Sequence, residues 1–302
     1  MRKIFLLIYL ISFFSFTLQL LAQKRSKNAS ISQRRGGQAS SASSPFAQTQ
    51  MWFGLKGGLN MGKANPTDRY SVFTSTVSTD ENKVFEKQYD NFGKKGFQFG
   101  LILNFNFYKY FTISFQPEIN SQNFGYQNHY TWAGQNNNSL DLIQKHRFQL
   151  SYIDLPLLVR FDIVRTRFRP YLQGGAFYSR LLKADKFVEV TSTDNASGAK
   201  NPISNTNPIV GAKDLFLKAQ WGLIAGAGVN YDLGNVRLGL DAFYKIGMNN
   251  ITNSSNRFSD DRTTSIGDVL DGMKLQNIEV SFSVIFPMKY LETGMFKGVR
   301  PK

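Results

Sequence analysis

The chain has two histidines, His129 and His146, and both lie in one polar segment together with Ser139 and Asp141. A hydroxyl, an imidazole and a carboxylate are the three groups that nucleophilic acyl transfer requires. Their spacing matches no catalytic motif, and such groupings arise by chance in any polar segment. The sequence also lacks a P-loop, a dinucleotide-binding fingerprint, a zinc-ligand spacing and a nucleophile elbow. We therefore predict that the protein is not an enzyme and has no catalytic, metal-binding or cofactor-binding residues.

Acidic and amide side chains offer a second chemistry, the binding of calcium or of sugars. The asparagines at 136–138 and 249–250 supply amide oxygens, but turn chemistry accounts for such runs without any ligand. Four acidic residues could also be considered as calcium ligands: Asp260, Asp261, Asp268 and Asp271. They lack the ordered spacing of a calcium-binding loop, so we interpret them as solvated surface charges.

The formal net charge of +15 raises the question of nucleic-acid binding. The central region is nearly balanced and offers no helix with a basic face, so we predict no nucleic-acid partner. Most of the excess belongs to terminal cations: Arg2, Lys3, Lys24, Arg25, Lys27, Arg34, Arg35, Lys289, Lys297, Arg300 and Lys302. The chain contains no cysteine, which excludes disulfides, thiolate metal sites, cysteine nucleophiles and a lipidated cysteine.

The N-terminal segment has the pattern of a signal peptide at residues 1–22, with two basic residues followed by an apolar run. A membrane anchor is the alternative, because the apolar run is long. We expect cleavage after Ala22, since Gln19 interrupts the run and the chain turns polar at Gln23. Residues 23–50 are rich in Ser, Gln, Ala, Gly and Arg and are predicted to form a disordered basic linker.

Alternation of apolar and polar residues organises the rest of the chain, most clearly at residues 217–246. A period of two indicates β-strands, because successive side chains leave a strand on opposite faces. This segment predicts a long hairpin that turns at Gly234 and Asn235. Together with its two arms, eight strands are predicted, the others at 52–61, 97–107, 112–126, 148–161, 168–182 and 276–286. Pro117 and Pro156 each remove a backbone donor, so we expect a bulge or a local distortion at both.

The connections between the predicted strands alternate in length. Those after the second, fourth and sixth strands are short, whereas long loops follow the first, third, fifth and seventh strands. The four long loops are 62–96, 127–147, 183–214 and 247–275. Short turns at one end and long loops at the other are typical of outer-membrane barrels, in which the turns face the periplasm.

The two faces of the predicted strands indicate a membrane. A soluble barrel, the alternative, would place its apolar face inside, but Phe, Leu and Trp are too bulky there for a small lumen. Aromatic residues also gather at the strand ends, where lipid headgroups would lie. The other face carries five charges of each sign, as pairing across a lumen requires: Lys56, Glu118, Asp154, Arg160, Lys218, Asp232, Arg237, Asp241, Lys245 and Glu279.

We therefore predict an all-β fold, an eight-stranded antiparallel transmembrane β-barrel with short periplasmic turns and four long extracellular loops. The barrel is expected to occupy residues 51–286, with its lumen plugged by side chains, and residues 287–302 are expected to form a basic periplasmic tail. Both chain ends are then periplasmic, and the predicted location is the cell outer membrane.

A set of short motifs resembles a known family. The ordered set is GLKGGLN at 54–60, FQPE at 115–118, YIDLPLLVR at 152–160, PYLQGG at 170–175, GLIAGAGV at 222–229, DAFYKIG at 241–247 and NNI at 249–251. This set resembles the PorT-like outer-membrane β-barrels over about residues 52–286. The resemblance implies a Gram-negative bacterium that uses type IX secretion and gliding, and the family's named member is required for that secretion.

Three functions follow as expectations. The first is a non-enzymatic, plugged barrel that acts as an anchor or assembly component, with basic termini that dock periplasmic proteins of the type IX or gliding apparatus. The second is a surface protein whose long loops recognise a ligand or partner. The third is a lipid A-modifying enzyme, since some eight-stranded barrels place a histidine near the outer rim. Outer-membrane lipids and lipopolysaccharide are expected partners in every case.

Overall fold

The computed structural model describes residues 51–70, 87–108, 110–133, 139–164, 166–194, 201–203, 209–233, 236–259 and 268–288. The predicted signal peptide and linker lie outside these residues, as do Asp260, Asp261 and the asparagines at 136–138. Among the described residues, no helix combines the length and the apolar character that crossing a bilayer demands.

Eight barrel strands form a closed ring, and the predicted fold class is confirmed. They are β1 (Met51–Asp68), β3 (Lys94–Asn106), the pair β4 (Phe111–Phe115) and β5 (Glu118–Ala133) that together make one strand, β6 (Ser139–Asp162), β7 (Phe168–Asp194), β10 (Ala219–Leu233), β11 (Val236–Gly247) and β14 (Gly272–Pro287). Each barrel strand is antiparallel to both neighbours. Because β1 pairs with both β3 and β14, the sheet has no open edge along its length.

Shorter strands and two 3₁₀ helices lie at one end of this ring. They are β2 (Gln88–Tyr89), β8 (Asn201–Ile203), β9 (Ile209–Gly211), β12 (Phe258–Ser259), β13 (Asp268–Val269) and the 3₁₀ helices Lys213–Leu215 and Ser254–Asn256. All of them lie in the segments predicted as long loops or reach one residue beyond, so this end is called the loop end. The opposite end, where short turns join the strands, is called the turn end.

The facing of the strands follows the alternation in the sequence. On β3, Phe97 and Phe99 are 71% and 62% exposed, whereas Gln98 between them is 3% exposed. On β1, Lys56 and Asn60 are buried while Leu55 and Leu59 point outward. The barrel therefore turns its apolar side chains out and its polar side chains in, which is the arrangement that a bilayer stabilises.

Paired aromatic residues mark two levels on the outer wall. Phe168 on β7 lies beside Tyr231 on β10, and Tyr178 lies beside Trp221 in the same register. All four rings are about half exposed. Ten strand residues at about 3.3 Å each, with a tilt of about 40°, separate the two levels by about 25 Å, the height of a barrel's apolar band. We identify these levels as the two headgroup regions.

The strands extend further than the sequence predicted. β5 and β6 remain paired through Ala133 and Ser139, so most of the predicted loop 127–147 is a hairpin, and β7 continues to Asp194. The prediction stopped short because it required apolar residues on the outer face. Beyond the bilayer that face meets water and carries polar residues such as Lys145 and Arg147.

Pro117 and Pro156 lie on neighbouring strands at nearly the same position and distort the wall at one place only. The third barrel strand breaks between β4 and β5 at Gln116 and Pro117, as predicted. Pro156 lies across from this break and remains within β6, so the separate distortion predicted there is wrong. Backbone bonding still links the two strands through Gln116 N–H, which donates to the Pro156 carbonyl at 3.1 Å.

β7 changes phase at Leu182, the last residue of the predicted strand 168–182. Ser151 pairs with Lys183, but the next residue, Tyr152, pairs with Leu181. Leu182 is thus an extra residue in β7, a β-bulge, and the inward positions shift by one beyond it.

The identification of the lipid-facing wall leads to a stability prediction. Leu172 is 53% exposed and lies between Phe168 and Tyr178 on β7, near the middle of the apolar band. We expect Leu172→Arg to reduce the stability of the barrel in lipid vesicles, measured as the free energy of unfolding, by about 2–4 kcal/mol, because a charge would face hydrocarbon. Ile209→Arg is the control, since Ile209 is 66% exposed but lies on β9 at the loop end, outside the band. Guanidinium titration in vesicles measures both variants, and equal losses would contradict the assignment of the wall.

Candidate functional site: the filled barrel lumen

The centre of the lumen contains an ionic cluster around Lys245 of β11. Its Nζ lies 2.6 Å from Glu118 Oε1, 3.0 Å from Asp154 Oδ2 and 2.7 Å from Glu279 Oε1. The three carboxylates come from β5, β6 and β14, so one ammonium group ties four barrel strands together. All four side chains are buried. The sequence predicted these residues to face inward, and the structure confirms it.

A second lysine and several amides complete this ionic cluster. Lys56 Nζ contacts Glu118 Oε2 at 2.6 Å and donates to Gln116 Oε1 at 3.0 Å. Asn120 Nδ2 donates to Glu279 Oε1 at 3.0 Å and also bonds Asp154. Buried charges are stable only when they are paired and hydrogen-bonded, and these contacts supply both conditions.

Glu118, Asp154 and Glu279 also have the spacing of metal ligands. One oxygen from each lies within 4.8 Å of the others. Lys245 Nζ already contacts all three carboxylates at hydrogen-bonding distance, so the cluster is a salt-bridge centre whose cation is supplied by the chain. The residues therefore give no reason to place a metal ion there.

A second ionic network lies nearer the turn end. Asp232 accepts from Arg237 Nε at 2.6 Å and lies 2.8 Å from Arg169 Nη2. Arg160 Nε pairs with Asp162 Oδ1 at 3.0 Å. Arg169 and Asp162 were not among the predicted lumen charges, because both lie at strand ends where alternation gives little guidance.

Aromatic rings and amides surround this turn-end network. The Arg237 guanidinium lies over the Trp52 ring at 4.0 Å, and the Arg160 guanidinium lies over the Tyr171 ring at 3.5 Å. Asp241 accepts hydrogen bonds from the Tyr171 hydroxyl and from Gln173 Nε2. Stacked guanidinium groups fill space as well as carrying charge, so this part of the lumen is packed.

An apolar group, formed by Leu158, Phe177, Ile224 and Phe243, also occupies the lumen. Glycines on β10 make room for its rings. A Cβ at Gly222 would lie 2.8 Å from the Phe177 ring, and one at Gly226 would lie 2.6 Å from the Phe243 ring. Phe243, which interrupts the polar face of the sequence pattern, is therefore a lumen residue.

The loop end is filled by a larger apolar core, the loop-end core. Phe124 and Phe148 stack with centroids 5.0 Å apart, and Phe216 meets both rings edge-on. Its members come from the barrel strands and from the loop segments: Ala64, Phe124, Tyr126, Phe148, Leu150, Tyr152, Leu181, Ala184, Ala212, Leu215, Phe216, Ile251, Leu270, Met273 and Leu275. Sequence reasoning missed this core, although Phe148, Leu150 and Tyr152 share the inward phase of β6.

Asp271 attaches the loops to the rim of the loop-end core. It is 1% exposed and accepts from Lys87 Nζ at 2.9 Å, from Tyr89 Oη at 2.7 Å and from Tyr70 N at 2.9 Å. The interpretation of Asp271 as a solvated charge is therefore wrong, since it holds β2 and the end of β1 against β14. Lys218 was predicted to face the lumen, and this prediction is wrong because Lys218 is exposed and precedes β10.

The polar grouping considered for catalysis is not assembled. Ser139 pairs with Ala133, four residues from His129 along β5, a separation of about 13 Å along a strand. Seven residues of β6, about 23 Å, separate Ser139 from His146. His146 is buried and stacks on Tyr126 at the loop-end core. A serine activated by a histidine requires hydrogen-bonding distance, which neither histidine provides here.

The asparagines at 249–250 perform turn chemistry, as predicted. Asn249 Oδ1 accepts from Trp221 N at 2.9 Å, and Asn250 Oδ1 accepts from Thr252 N and from Met273 N. Their amide oxygens are thus used by the backbone of the adjoining strands.

The closed ring, the apolar outer wall and the ion-paired lumen define an integral membrane β-barrel. A family model described as "Outer membrane protein beta-barrel domain" matches residues 46–253, and the chain belongs to this family. The protein is therefore an outer-membrane protein. No curated protein matches the chain.

Several solved structures are similar to the chain. Neisserial surface protein A is 13% identical, with 78% of this chain and 96% of that chain covered and a TM-score of 0.29. Ail, the attachment invasion locus protein of Yersinia pestis, is 11% identical, with coverages of 78% and 99% and a TM-score of 0.27. The outer membrane protease OmpT from Escherichia coli is 7% identical, with coverages of 78% and 96% and a TM-score of 0.26.

The ionic cluster predicts that substitution of Lys245 strongly destabilises the barrel. Lys245→Met leaves three buried carboxylates without their shared cation, and we expect a loss of about 3–5 kcal/mol in unfolding free energy. The control is Lys183→Met, because Lys183 pairs with Asp185 at 2.6 Å but is 70% exposed. That change should cost less than about 1 kcal/mol. Urea titration in vesicles measures both, and a Lys245→Met loss no larger than the control would contradict the role of the cluster.

Proposed function

We propose that this outer-membrane β-barrel is a non-enzymatic anchor or assembly component, with its turns and both chain ends in the periplasm. The observation that carries this proposal is the filled lumen. Two ionic networks and two apolar groups occupy it from the turn end to the loop end. A barrel filled in this way has little room for a solute, so its working surfaces are its two ends and its lipid-facing wall.

The motifs that resemble PorT-like proteins coincide with the filled lumen. Lys56 belongs to the motif at 54–60, Glu118 to 115–118, Asp154 to 152–160 and Lys245 to 241–247. The motifs that carry the resemblance thus supply the charged residues of the ionic cluster. We propose on this resemblance that the chain serves the type IX secretion or gliding apparatus.

The filled lumen predicts the absence of channel activity. In a planar lipid bilayer, the purified barrel should give no unitary conductance steps, because ions would have to displace buried, paired charges. A general porin inserted in the same bilayer is the positive control. Stable conductance steps from the wild-type barrel would contradict the anchor proposal.

The basic terminal segments predict how partners are held. Deleting residues 23–50 or 289–302 should reduce the recovery of cross-linked periplasmic proteins by roughly tenfold, because long-range charge attraction steers and holds such partners. The measurement is cross-linking in intact cells followed by mass spectrometry of the purified barrel. A full-length variant with Gln in place of Lys24, Arg25, Lys27, Arg34 and Arg35 separates the effect of charge from that of length. Unchanged recovery from both deletions would overturn the docking role.

A specific feature favours a second function, recognition by the loop end. The hairpin of β5 and β6 continues beyond the bilayer, and the loop-end core supports it from within. Such a support could hold a binding surface in one shape. Trimming the hairpin with no loss of secretion or of surface binding would favour the anchor, whereas loss of surface binding with intact secretion would favour recognition. A lipid A mass spectrum altered in a deletion strain would contradict the non-enzymatic proposal.

A further inference from the structure

A row of buried polar side chains lies beside the ionic cluster. Asp154 on β6 is the register partner of Ser179 on β7, and Ser179 is the register partner of Gln220 on β10. All three side chains face the lumen and are at most 2% exposed. Because the Cβ atoms of directly paired residues lie about 5 Å apart, the three side chains share one short stretch of the lumen wall.

Each of these side chains has one oxygen without a hydrogen-bond partner among the residues that the structure describes. The three atoms are Asp154 Oδ1, Ser179 Oγ and Gln220 Oε1. The other carboxylate oxygen of Asp154 contacts Lys245 Nζ at 3.0 Å, and Gln220 Nε2 donates to Gln122 Oε1 at 3.4 Å. A buried oxygen that accepts nothing costs free energy, so the row is suited to a ligand that needs only lone pairs.

The charges of the lumen indicate the kind of ligand. The turn-end network together with Asp241 contains three guanidinium groups and three carboxylates and is therefore balanced. The ionic cluster has only two ammonium groups, those of Lys56 and Lys245, against three carboxylates. One formal negative charge therefore remains beside the row. The buried cation Lys186 is too distant to balance it, because it lies seven residues beyond Ser179 on β7, about 20 Å away.

We propose that Asp154 Oδ1, Ser179 Oγ and Gln220 Oε1 bind one alkali-metal cation, such as Na⁺ or K⁺. Carboxylate, hydroxyl and amide oxygens are the ligands that hard cations prefer. A monovalent cation cancels the remaining charge, whereas a divalent cation would leave an excess positive charge in the lumen. A water molecule would bond the same oxygens without cancelling the charge.

The proposed site differs from the centre of the three carboxylates. At that centre Lys245 Nζ takes the position of a cation, whereas the proposed ion contacts the oxygen of Asp154 that Lys245 does not. The lysine ties together β5, β6, β11 and β14, and the ion joins β6 to β7 and β10. Six of the eight barrel strands then meet in one ionic network. This inference depends neither on the proposed function nor on the orientation of the barrel.

The first test measures whether the stability of the barrel depends on the cation at constant pH and ionic strength. The full-length barrel is unfolded with urea in lipid vesicles in NaCl, in KCl and in N-methyl-D-glucamine chloride, whose cation is too large for the site. Above the Kd, a tenfold increase in free Na⁺ or K⁺ should raise the folding equilibrium constant about tenfold. Stabilisation by either alkali cation supports the site, and equal stability in all three salts overturns it.

Ser179→Ala is the sharpest variant, because it removes an oxygen that has no partner in the described protein. Without a bound ion, loss of this buried hydroxyl should leave stability unchanged or raise it. With a bound ion, the Kd for the cation should rise about tenfold or more, since even the loss of an outer-shell partner weakens metal binding by that factor.

The matched control is Ser283→Ala in the same lumen. Ser283 is 1% exposed and its Oγ also has no partner among the described residues. Its register partners are Lys56 and Gly239, so no carboxylate lies beside it in the sheet. This variant should keep the cation dependence of the wild type. A Ser179→Ala variant with the same cation dependence as this control overturns the site, and a folded band in unheated electrophoresis samples confirms that both variants have folded.

Two further outcomes separate a metal cation from a proton and from water. A stability that responds to pH but not to the alkali cation would assign the missing charge to a proton on the carboxylates and overturn the proposal. Crystals of the full-length barrel grown in thallium(I), an anomalous scatterer that replaces K⁺, should show an anomalous peak in contact with Asp154 Oδ1 and Ser179 Oγ. A water molecule at that position, with no anomalous peak, overturns it as well.

Discussion

The structure depends on one constraint, which is that a charge inside a narrow barrel must find its partner inside the same barrel. Every second residue of each strand points into a space that eight strands enclose almost completely. Water cannot compensate a lone charge there, and an unpaired one would cost several kcal/mol. The chain meets the constraint by bringing Lys245 from β11 to carboxylates on β5, β6 and β14. The register of all the strands must be correct for these atoms to meet, so the pairing of charge also specifies the fold.

Much of this architecture can be predicted from the sequence, because a bilayer imposes a simple rule on the outer wall. Within the apolar band the outward residues must be apolar, so alternation gives the strands, their facing and the inward position of residues such as Glu118 and Asp154. The same rule cannot say which inward residues touch. Whether Glu118 meets Lys56, Lys245 or both depends on barrel tilt and stagger, which no local pattern contains.

The prediction was weakest beyond the bilayer, where the rule no longer applies. There the outer face is polar and the inner face becomes apolar, as at Lys145 and Phe148 on β6. A prediction that assumes polar residues inside the whole barrel therefore ends the strands too early and misses the loop-end core. The environment of Asp271 was missed for a related reason, since its partners Lys87 and Tyr70 are distant in sequence. The bulge at Leu182 adds a one-residue shift that conceals the alternation in β7.

The break at Gln116 and Pro117 lies where two prolines leave the backbone ladder of the wall incomplete. At the seam between β5 and β6, Pro156 has no amide hydrogen to return the bond that its carbonyl accepts from Gln116 N–H, whereas Pro117 lacks its donor on the side of β3, where its carbonyl accepts from Leu101 N. Lys245 reaches from the opposite side and contacts Glu118 on one side of this seam and Asp154 on the other. These two ion pairs join β5 and β6 next to the position where a backbone hydrogen bond between them is missing. The ionic cluster therefore reinforces the backbone of the wall as well as filling the interior, so the loss of Lys245 weakens the cylinder itself.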